Sequence, residues 1–306
     1  MVSKRIDNPR VSVVIPTYNR ASALRRCLDS LKKQTIDDFE VLICDDGSTD
    51  ETAEVSKEYS SFLDITYDYA ENFGGPARPR NRGINLARAS CIAFLDSDDW
   101  WMPQKLEESL KYLEQGADVV YHSLFVVAKS NQRNFFKKTR SWDLRSPIFD
   151  DLIANGNALN NSSVVVRKEL LNAINGLAED RSLIASEDYD AWLRAAKFTE
   201  KFKRIPKTLG YYWAGGGNIS NPGRVLKNLD VIEERYANAV LDLNEHGVFC
   251  WIDYAKGKAH YRLGSYAMAK KNLELVLLRR VPPSIYIKSR WMLLLTNMYL
   301  HSKIRF

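Results

Sequence analysis

Residues 91–99 read Cys91-Ile92-Ala93-Phe94-Leu95-Asp96-Ser97-Asp98-Asp99, five apolar residues that run straight into three carboxylates. An apolar run this short fits a strand buried on both faces, as in a parallel sheet. The same construction recurs on the N-terminal side. Residues 11–15 (VSVVI) end in Pro16-Thr17-Tyr18-Asn19-Arg20, and residues 39–44 (FEVLIC) end in Asp45-Asp46-Gly47-Ser48-Thr49-Asp50. Leu24, Cys27, Leu28 and Leu31 fall at i, i+3, i+4 and i+7, which predicts an amphipathic helix between the first two strands. Ser48-Thr49-Asp50-Glu51 has the form of a capping box and predicts a helix that runs to about residue 59. Further strands are expected at 65–69 and 118–122, with helices at about 80–89 and around Leu106, Leu110 and Leu113. Strands separated by helices predict an α/β fold, a mostly parallel sheet covered on both faces.

Beyond residue 122 the pattern loosens. A polar, basic stretch (129–140) precedes an expected strand at 162–167 and helices at 168–174 and 189–198. Gly215-Gly216-Gly217 is expected as a flexible loop, and from about residue 225 the chain predicts helices alone. Residues 261–267 (YRLGSYA) are similar to half of a tetratricopeptide unit, and one unit makes a helical hairpin, not a solenoid. The expected division is an α/β domain over 1–224, in two parts at about 10–122 and 123–224, followed by a helical, basic region over 225–306.

Composition bounds the function. The chain has 306 residues, 45% hydrophobic and 27% charged, which excludes a disordered or collagenous protein. Cys27, Cys44, Cys91 and Cys250 form no close pair and read as reduced core thiols of a cytosolic protein. No leader is expected from MVSKRIDNPR, and no run of 18 apolar residues offers a membrane span. The net charge is +6, and residues 226–306 alone hold 13 Lys and Arg against 7 Asp and Glu. The whole excess therefore lies in the last quarter, and no acid follows Glu274. Either a solvated helical face or an anionic partner surface accounts for such a tail. No recognition motif for nucleic acid accompanies it.

Ligands of an open parallel sheet bind outside the carboxyl ends of its strands. That rule gathers Asp45, Asp46, Asp96, Asp98 and Asp99 on one rim. Hard carboxylate oxygens in a D-x-D arrangement suit Mg²⁺ or Mn²⁺ shared with substrate phosphates; turn formation and helix capping are the competing use of such aspartates. No G-x-G-x-x-G follows the first strand and no P-loop occurs, which removes the main support for hydride transfer and for Walker-type hydrolysis.

The 16–20 segment, the 45–50 loop, Arg80-Asn81-Arg82-Gly83, Asp96-Ser97-Asp98-Asp99 and Glu187-Asp188 occur in that order. Together they resemble the family 2 glycosyltransferases of bacterial surface-polysaccharide assembly, inverting enzymes of the GT-A fold, over about residues 10–220. The resemblance implies transfer from a nucleoside-diphosphate sugar, most simply a UDP-sugar, to a hydroxyl of a glycan acceptor, with Mn²⁺ or Mg²⁺. It places Pro16, Thr17 and Tyr18 along the nucleotide pocket, Asp46 on the uracil imide and Arg80 on the base or diphosphate. Asp96 falls on the ribose, with Asp98 and its neighbour Asp99 at the metal. Asp188 of the Glu187-Asp188 pair becomes the general base that takes the acceptor proton.

Family members often carry a histidine after a Tyr-Tyr segment. Here Tyr211-Tyr212-Trp213-Ala214-Gly215-Gly216-Gly217-Asn218 has none. Asn218, a water or backbone groups then take its place, with Trp213 and His122 as further loop or acceptor candidates.

The cationic and aromatic residues of 279–306 suit either the headgroup layer of an anionic membrane, near a lipid-linked acceptor, or packing on the body or on a second copy. The expected location is cytoplasmic, peripheral to the inner face of the membrane. A nucleotidyltransferase on a similar sheet and a non-catalytic helical scaffold are the alternative functions.

Overall fold

The structure is a computed structural model and describes residues 5–217, 219–242, 250–278, 281 and 283–303. Elements alternate as the apolar runs require: β1 (Val11–Thr17), α1 (Ala21–Leu31), β2 (Phe39–Asp45), α2 (Thr52–Tyr59), β3 (Asp64–Tyr69), α3 (Ala77–Leu86) and β4 (Cys91–Phe94). The order continues with β5 (Trp100–Trp101), α4 (Lys105–Glu114), β6 (Val119–Val127), α5 (Ile148–Asn155), β7 (Val165–Arg167), α6 (Lys168–Ala173), α7 (Glu187–Ala195) and β8 (Phe202–Trp213). Among the described residues the strands form one sheet in the order β3-β2-β1-β4-β7-β6-β8-β5. The pairs β1–β2, β2–β3, β1–β4 and β6–β8 are parallel, whereas β7 runs antiparallel to β4 and β6, and β5 antiparallel to β8.

Helices cover both faces. Val13, Ile15, Val41, Ile43 and Ala93 join Leu24, Leu28 and Leu31 of α1 and Leu106 and Leu110 of α4 in one buried cluster. On the other face, a Cβ added to Gly83 would lie 2.5 Å from Val14 Cγ1, so α3 rests directly on the sheet. Farther along that face Phe94 and Trp192 of α7 meet with ring centroids 6.2 Å apart.

Several local expectations change. Helix α3 spans 77–86 instead of 80–89; Pro76 and Pro79 sit at its cap and in its first turn, where a missing N–H leaves no bond unmade. The strand expected at 118–122 extends to Val127, and the one expected from 162 begins at Val165 after a 3₁₀ turn over Asn161–Ser163. The capping box is not formed. Helix α2 begins at Thr52, whose N–H goes to Asp50 Oδ1 at 3.2 Å, while the Ser48 hydroxyl accepts the Asn19 N–H at 2.8 Å.

The chain divides into two compact units, residues 1–145 with 158–217, and 146–157 with 218–306. The second consists of α5 and the helices α8 (Pro222–Asp242), α9 (Cys250–Arg262), α10 (Tyr266–Leu277) and α11 (Pro283–Lys303). Trp251 joins its two segments: Nε1 donates to the Ile153 carbonyl at 2.7 Å, and the ring lies 3.1 Å from where a Gly156 Cβ would be.

Candidate active site

The turns after β1 and β2 are built around each other. Asn19 adopts φ 50°, and its Oδ1 accepts from Thr49 N at 2.8 Å. Asp50 Oδ2 accepts from Ala21 N (2.9 Å) at the start of α1, while Oδ1 takes the Thr52 hydroxyl (2.5 Å) at the start of α2. Asp45 Oδ1 accepts from Ser48 N (2.8 Å) and Oδ2 from the Tyr67 hydroxyl (2.6 Å). Burial, and next this bond, hold the Tyr67 phenol well above its ordinary range. Both Asp46 oxygens accept backbone N–H groups, from Phe73 and Gly74, each at 3.1 Å. Gly47 makes this turn possible: it has φ 90°, and a Cβ there would lie 2.8 Å from Asn72 N.

The expected rim of five carboxylates is therefore corrected. Asp45 and Asp46 are 0% and 4% exposed, and neutral hydrogen-bond donors engage both oxygens of each. Beside them Tyr18 is 48% exposed, Pro16 is buried within β1, and the buried Thr17 Oγ1 has no hydrogen-bond partner.

The loop after β4 differs. Its aspartates face charged partners and one another. Asp96 Oδ1 meets Arg80 Nη2 at 2.6 Å, and Glu187 Oε1 meets Arg80 Nη1 at 2.5 Å. With its amide oxygen turned inward, Asn161 accepts from Arg80 Nε and Nη2 at 3.0 and 3.1 Å. Arg80 is buried; burial opposes its charge, but Asp96 and Glu187 more than offset this and raise its pKa. The side chain expected on the base or diphosphate is instead a strut from the β4 loop to the start of α7. Glu187 is engaged in the same way, with Oε1 on Arg80 and a buried Oε2 that has no partner.

Asp188 begins α7 beside that pair, and its Oδ1 accepts from Tyr189 N at 2.7 Å. Burial, then the neighbouring Glu187 charge, push its carboxyl up to about 7, against the opposing pull of Arg80. The chain enters this helix through Ala185 at φ 71°, a left-handed conformation that costs energy for a non-glycine residue.

Asp98 pairs with Arg20, which also donates to the Gly217 carbonyl. Despite this pairing, burial and the nearby Asp96 charge raise the Asp98 carboxyl. Asp99 is a correction. It is 1% exposed, and Oδ1 accepts from Trp213 N at 2.8 Å, so it anchors the end of β8; burial, then the Asp98 and Asp96 charges, push its carboxyl well up. Arg26 completes the edge, donating to the Asp98 carbonyl (2.8 Å) with its guanidinium 4.1 Å from the Trp100 ring and 4.9 Å from the Trp213 ring. Trp213 Nε1 donates to the Gly216 carbonyl at 3.2 Å. The glycine loop is thus held at Gly216 by Trp213 and at Gly217 by Arg20. Arg20, Arg26, Asn161 and Ser162, which accepts the Asp96 N–H at 3.1 Å, had no assigned role; Asn161-Ser162-Ser163 just before an apolar run was the available signal.

His122 is also corrected. It is 0% exposed inside β6, Nδ1 donates to the Ser123 carbonyl at 2.9 Å, and burial drops its pKa to about 3. Such a ring is part of the core and meets no acceptor. Asn218 lies outside the described residues.

Among the described residues no group of three or more His, Cys, Asp or Glu could by itself hold a metal. Asp96 and Asp98 nevertheless fit an ion that takes one or two carboxylates and completes its shell with phosphate oxygens and water, since their mutual repulsion favours a hard cation.

Residues 12–167 match the model of Glycosyl transferase family 2. The amylovoran biosynthesis glycosyltransferase AmsB of Erwinia amylovora is 32% identical over 209 residues, 66% of this chain and 68% of that protein. Several other matched relatives are longer, and the chain covers a third or less of their length. The fold resembles S. aureus TarS 1–349 in complex with UDP-GlcNAc (TM-score 0.62, 20% identity, 94% of this chain and 89% of that one). It is similar, too, to the mannosyltransferase PcManGT of Pyrobaculum calidifontis with GDP-Man and Mn²⁺ (TM-score 0.58, 18% identity, 99% and 90%). The architecture is that of the GT-A glycosyltransferases with a C-terminal helical region, and this chain belongs to Glycosyl transferase family 2.

Proposed function

We propose that the protein is a metal-assisted inverting glycosyltransferase. It moves a sugar from a UDP-sugar to a hydroxyl of a glycan acceptor, lipid-linked, in polysaccharide assembly at the inner face of the membrane. The observation that carries this reading is the Asp188 carboxyl, raised to about 7 and placed beside the Arg80 strut. A base is most effective when its pKa lies near the working pH.

In this reading residues 1–224 carry catalysis. Tyr18 and Thr17 border the nucleotide, Asp46 shapes the loop against its base, and Asp96 faces the ribose. Asp98 would hold Mn²⁺ or Mg²⁺, which supplies positive charge to the diphosphate as it leaves. Asp188 takes the acceptor hydroxyl proton while that oxygen forms its bond to the anomeric carbon. The bond from that carbon to the diphosphate breaks on the opposite face, releasing UDP. Arg80 and Glu187 hold the base in position.

AmsB acts in amylovoran biosynthesis by name and TarS was solved with UDP-GlcNAc, so UDP-GlcNAc is the first donor to test. Incubation with a panel of nucleotide sugars and Mn²⁺ should release the nucleoside diphosphate, and NMR should show an inverted anomeric centre in the product. Retention of configuration, or release of pyrophosphate from a nucleoside triphosphate, would overturn the reading.

A further inference from the structure

Helix α11 is apolar on more than one side, and Met292, Leu293 and Leu300 are half-buried toward its inner side. Its buried stripe carries Ser289 and Thr296, both 0% exposed, together with Ile285 at 4%. Thr296 satisfies its hydroxyl by donating to the Met292 carbonyl at 2.7 Å. The opposite stripe is apolar and in solvent: Ile287 (56% exposed), Trp291 (65%), Leu294 (54%), Leu295 (40%) and Met298 (62%). These positions are i, i+4, i+7, i+8 and i+11, one continuous face of an α-helix. Within the same unit Tyr299 stacks on Tyr266 of α10 with centroids 4.9 Å apart, so the helix is already docked on its buried side. The bare apolar face is what remains after the unit has folded. A contiguous face of this kind marks an interaction site.

Charge decides what covers it. Lys288 and Arg290 are exposed, and each lies about 80° around the helix from the middle of the apolar stripe, one on either side. No acidic residue follows Glu274, and residues 226–306 hold the whole +6 excess of the chain. A second copy would bring the same cations against these, which is repulsive. Cations flanking both edges of an apolar stripe match a bilayer surface, with the apolar side chains at the level of the acyl chains and the cations among anionic headgroups. No helix among the described residues is long and apolar enough to cross a membrane, so the contact lies in the plane of the surface.

We infer that the outer face of α11, centred on Trp291 and flanked by Lys288 and Arg290, docks the protein on an anionic phospholipid surface. Docking does not depend on sugar transfer, and it is read without donor or acceptor.

The full chain is mixed with vesicles of phosphatidylcholine alone or of phosphatidylcholine with phosphatidylglycerol, and the bound fraction is separated by flotation. Wild type should float with the anionic vesicles, lose binding as salt rises, and stay behind with the neutral ones. The Lys288→Gln/Arg290→Gln variant should bind anionic vesicles about thirty-fold more weakly, at about five-fold per charge. Trp291→Ser/Met298→Ser should lose binding while its circular dichroism stays that of wild type. Equal binding to neutral and anionic vesicles, or unchanged binding by the Gln variant, overturns the inference. It is overturned equally by a wild-type dimer in sedimentation that Trp291→Ser/Met298→Ser dissolves, which would assign the face to a second copy.

Discussion

Two loops of the same sheet carry the same residue type and use it in opposite ways. After β2, Asp45 and Asp46 meet neutral donors, a seryl amide, a phenol and two loop amides, and they fix the backbone of the loop they sit in. After β4, Asp96 and Asp98 meet arginines and each other, and Asp98 is still raised in pKa. A carboxylate that has spent its lone pairs on backbone N–H groups shapes a loop. One that keeps surplus negative charge despite an arginine partner has capacity left for a cation. In the function proposed above, the chemistry runs along Asp98, Asp96, Arg80, Glu187 and Asp188, away from the 45–50 loop.

Changing the far end of that line should have the largest effect. Asp188→Asn removes the base and should cut turnover by about 10²- to 10⁴-fold, with UDP-sugar binding by calorimetry unchanged. In the wild type the turnover step should rise with pH through about 7 as Asp188 loses its proton. Stability should move the other way. An unfolded Asp188 ionises near 3.8 and the folded one near 7, so between these values the folded protein keeps a proton the unfolded chain has released. The contribution is therefore complete below 3.8 and is lost as pH climbs toward 7. A flat rate profile across this window would remove Asp188 as the base.

Next in size is the strut. Arg80→Met leaves Glu187 and Asp96 without their counter-charge and should cost about 3–5 kcal/mol in urea unfolding. A loss under 1 kcal/mol would mean that the guanidinium is not the buried tie described above. The smallest effects separate the two loops directly. Asp46→Asn should cost about 1–3 kcal/mol of stability through its two amide bonds and leave the gain in UDP affinity on adding Mn²⁺ intact. Asp98→Asn should abolish that gain with little change in stability. If both variants behaved alike, the contrast between the loops would fail.

The fold was legible where burial is uniform. Strands β1, β2 and β4 are apolar on both faces, and α1 shows its stripe at every third or fourth residue, so periodicity found them. Strands β5 and β8 escaped for a physical reason. Trp100-Trp101 is too short to show a period, and Phe202–Trp213 contains Pro206 and three lysine or arginine residues, a pattern tolerated near a sheet edge but not suggestive of a strand. The candidate site was legible as a set of motifs and not as a set of roles. Asp98 lies in the loop after β4 and Asp188 in the first turn of α7, and their roles belong to the proposal above. Sequence does not distinguish a solvated arginine from a buried one, so Arg80 was expected on the ligand, and a histidine at a strand end looks the same whether it faces a cleft or the core, as His122 does.

The Arg80 strut has a consequence for redesign. Because one guanidinium grips a carboxylate of the β4 loop and another at the start of α7, residues around α7 cannot be exchanged for those of another transferase as an independent cassette. Any graft that omits Glu187 frees one arm of the Arg80 that also holds Asp96, so a change made at α7 would be felt in the loop after β4 as well.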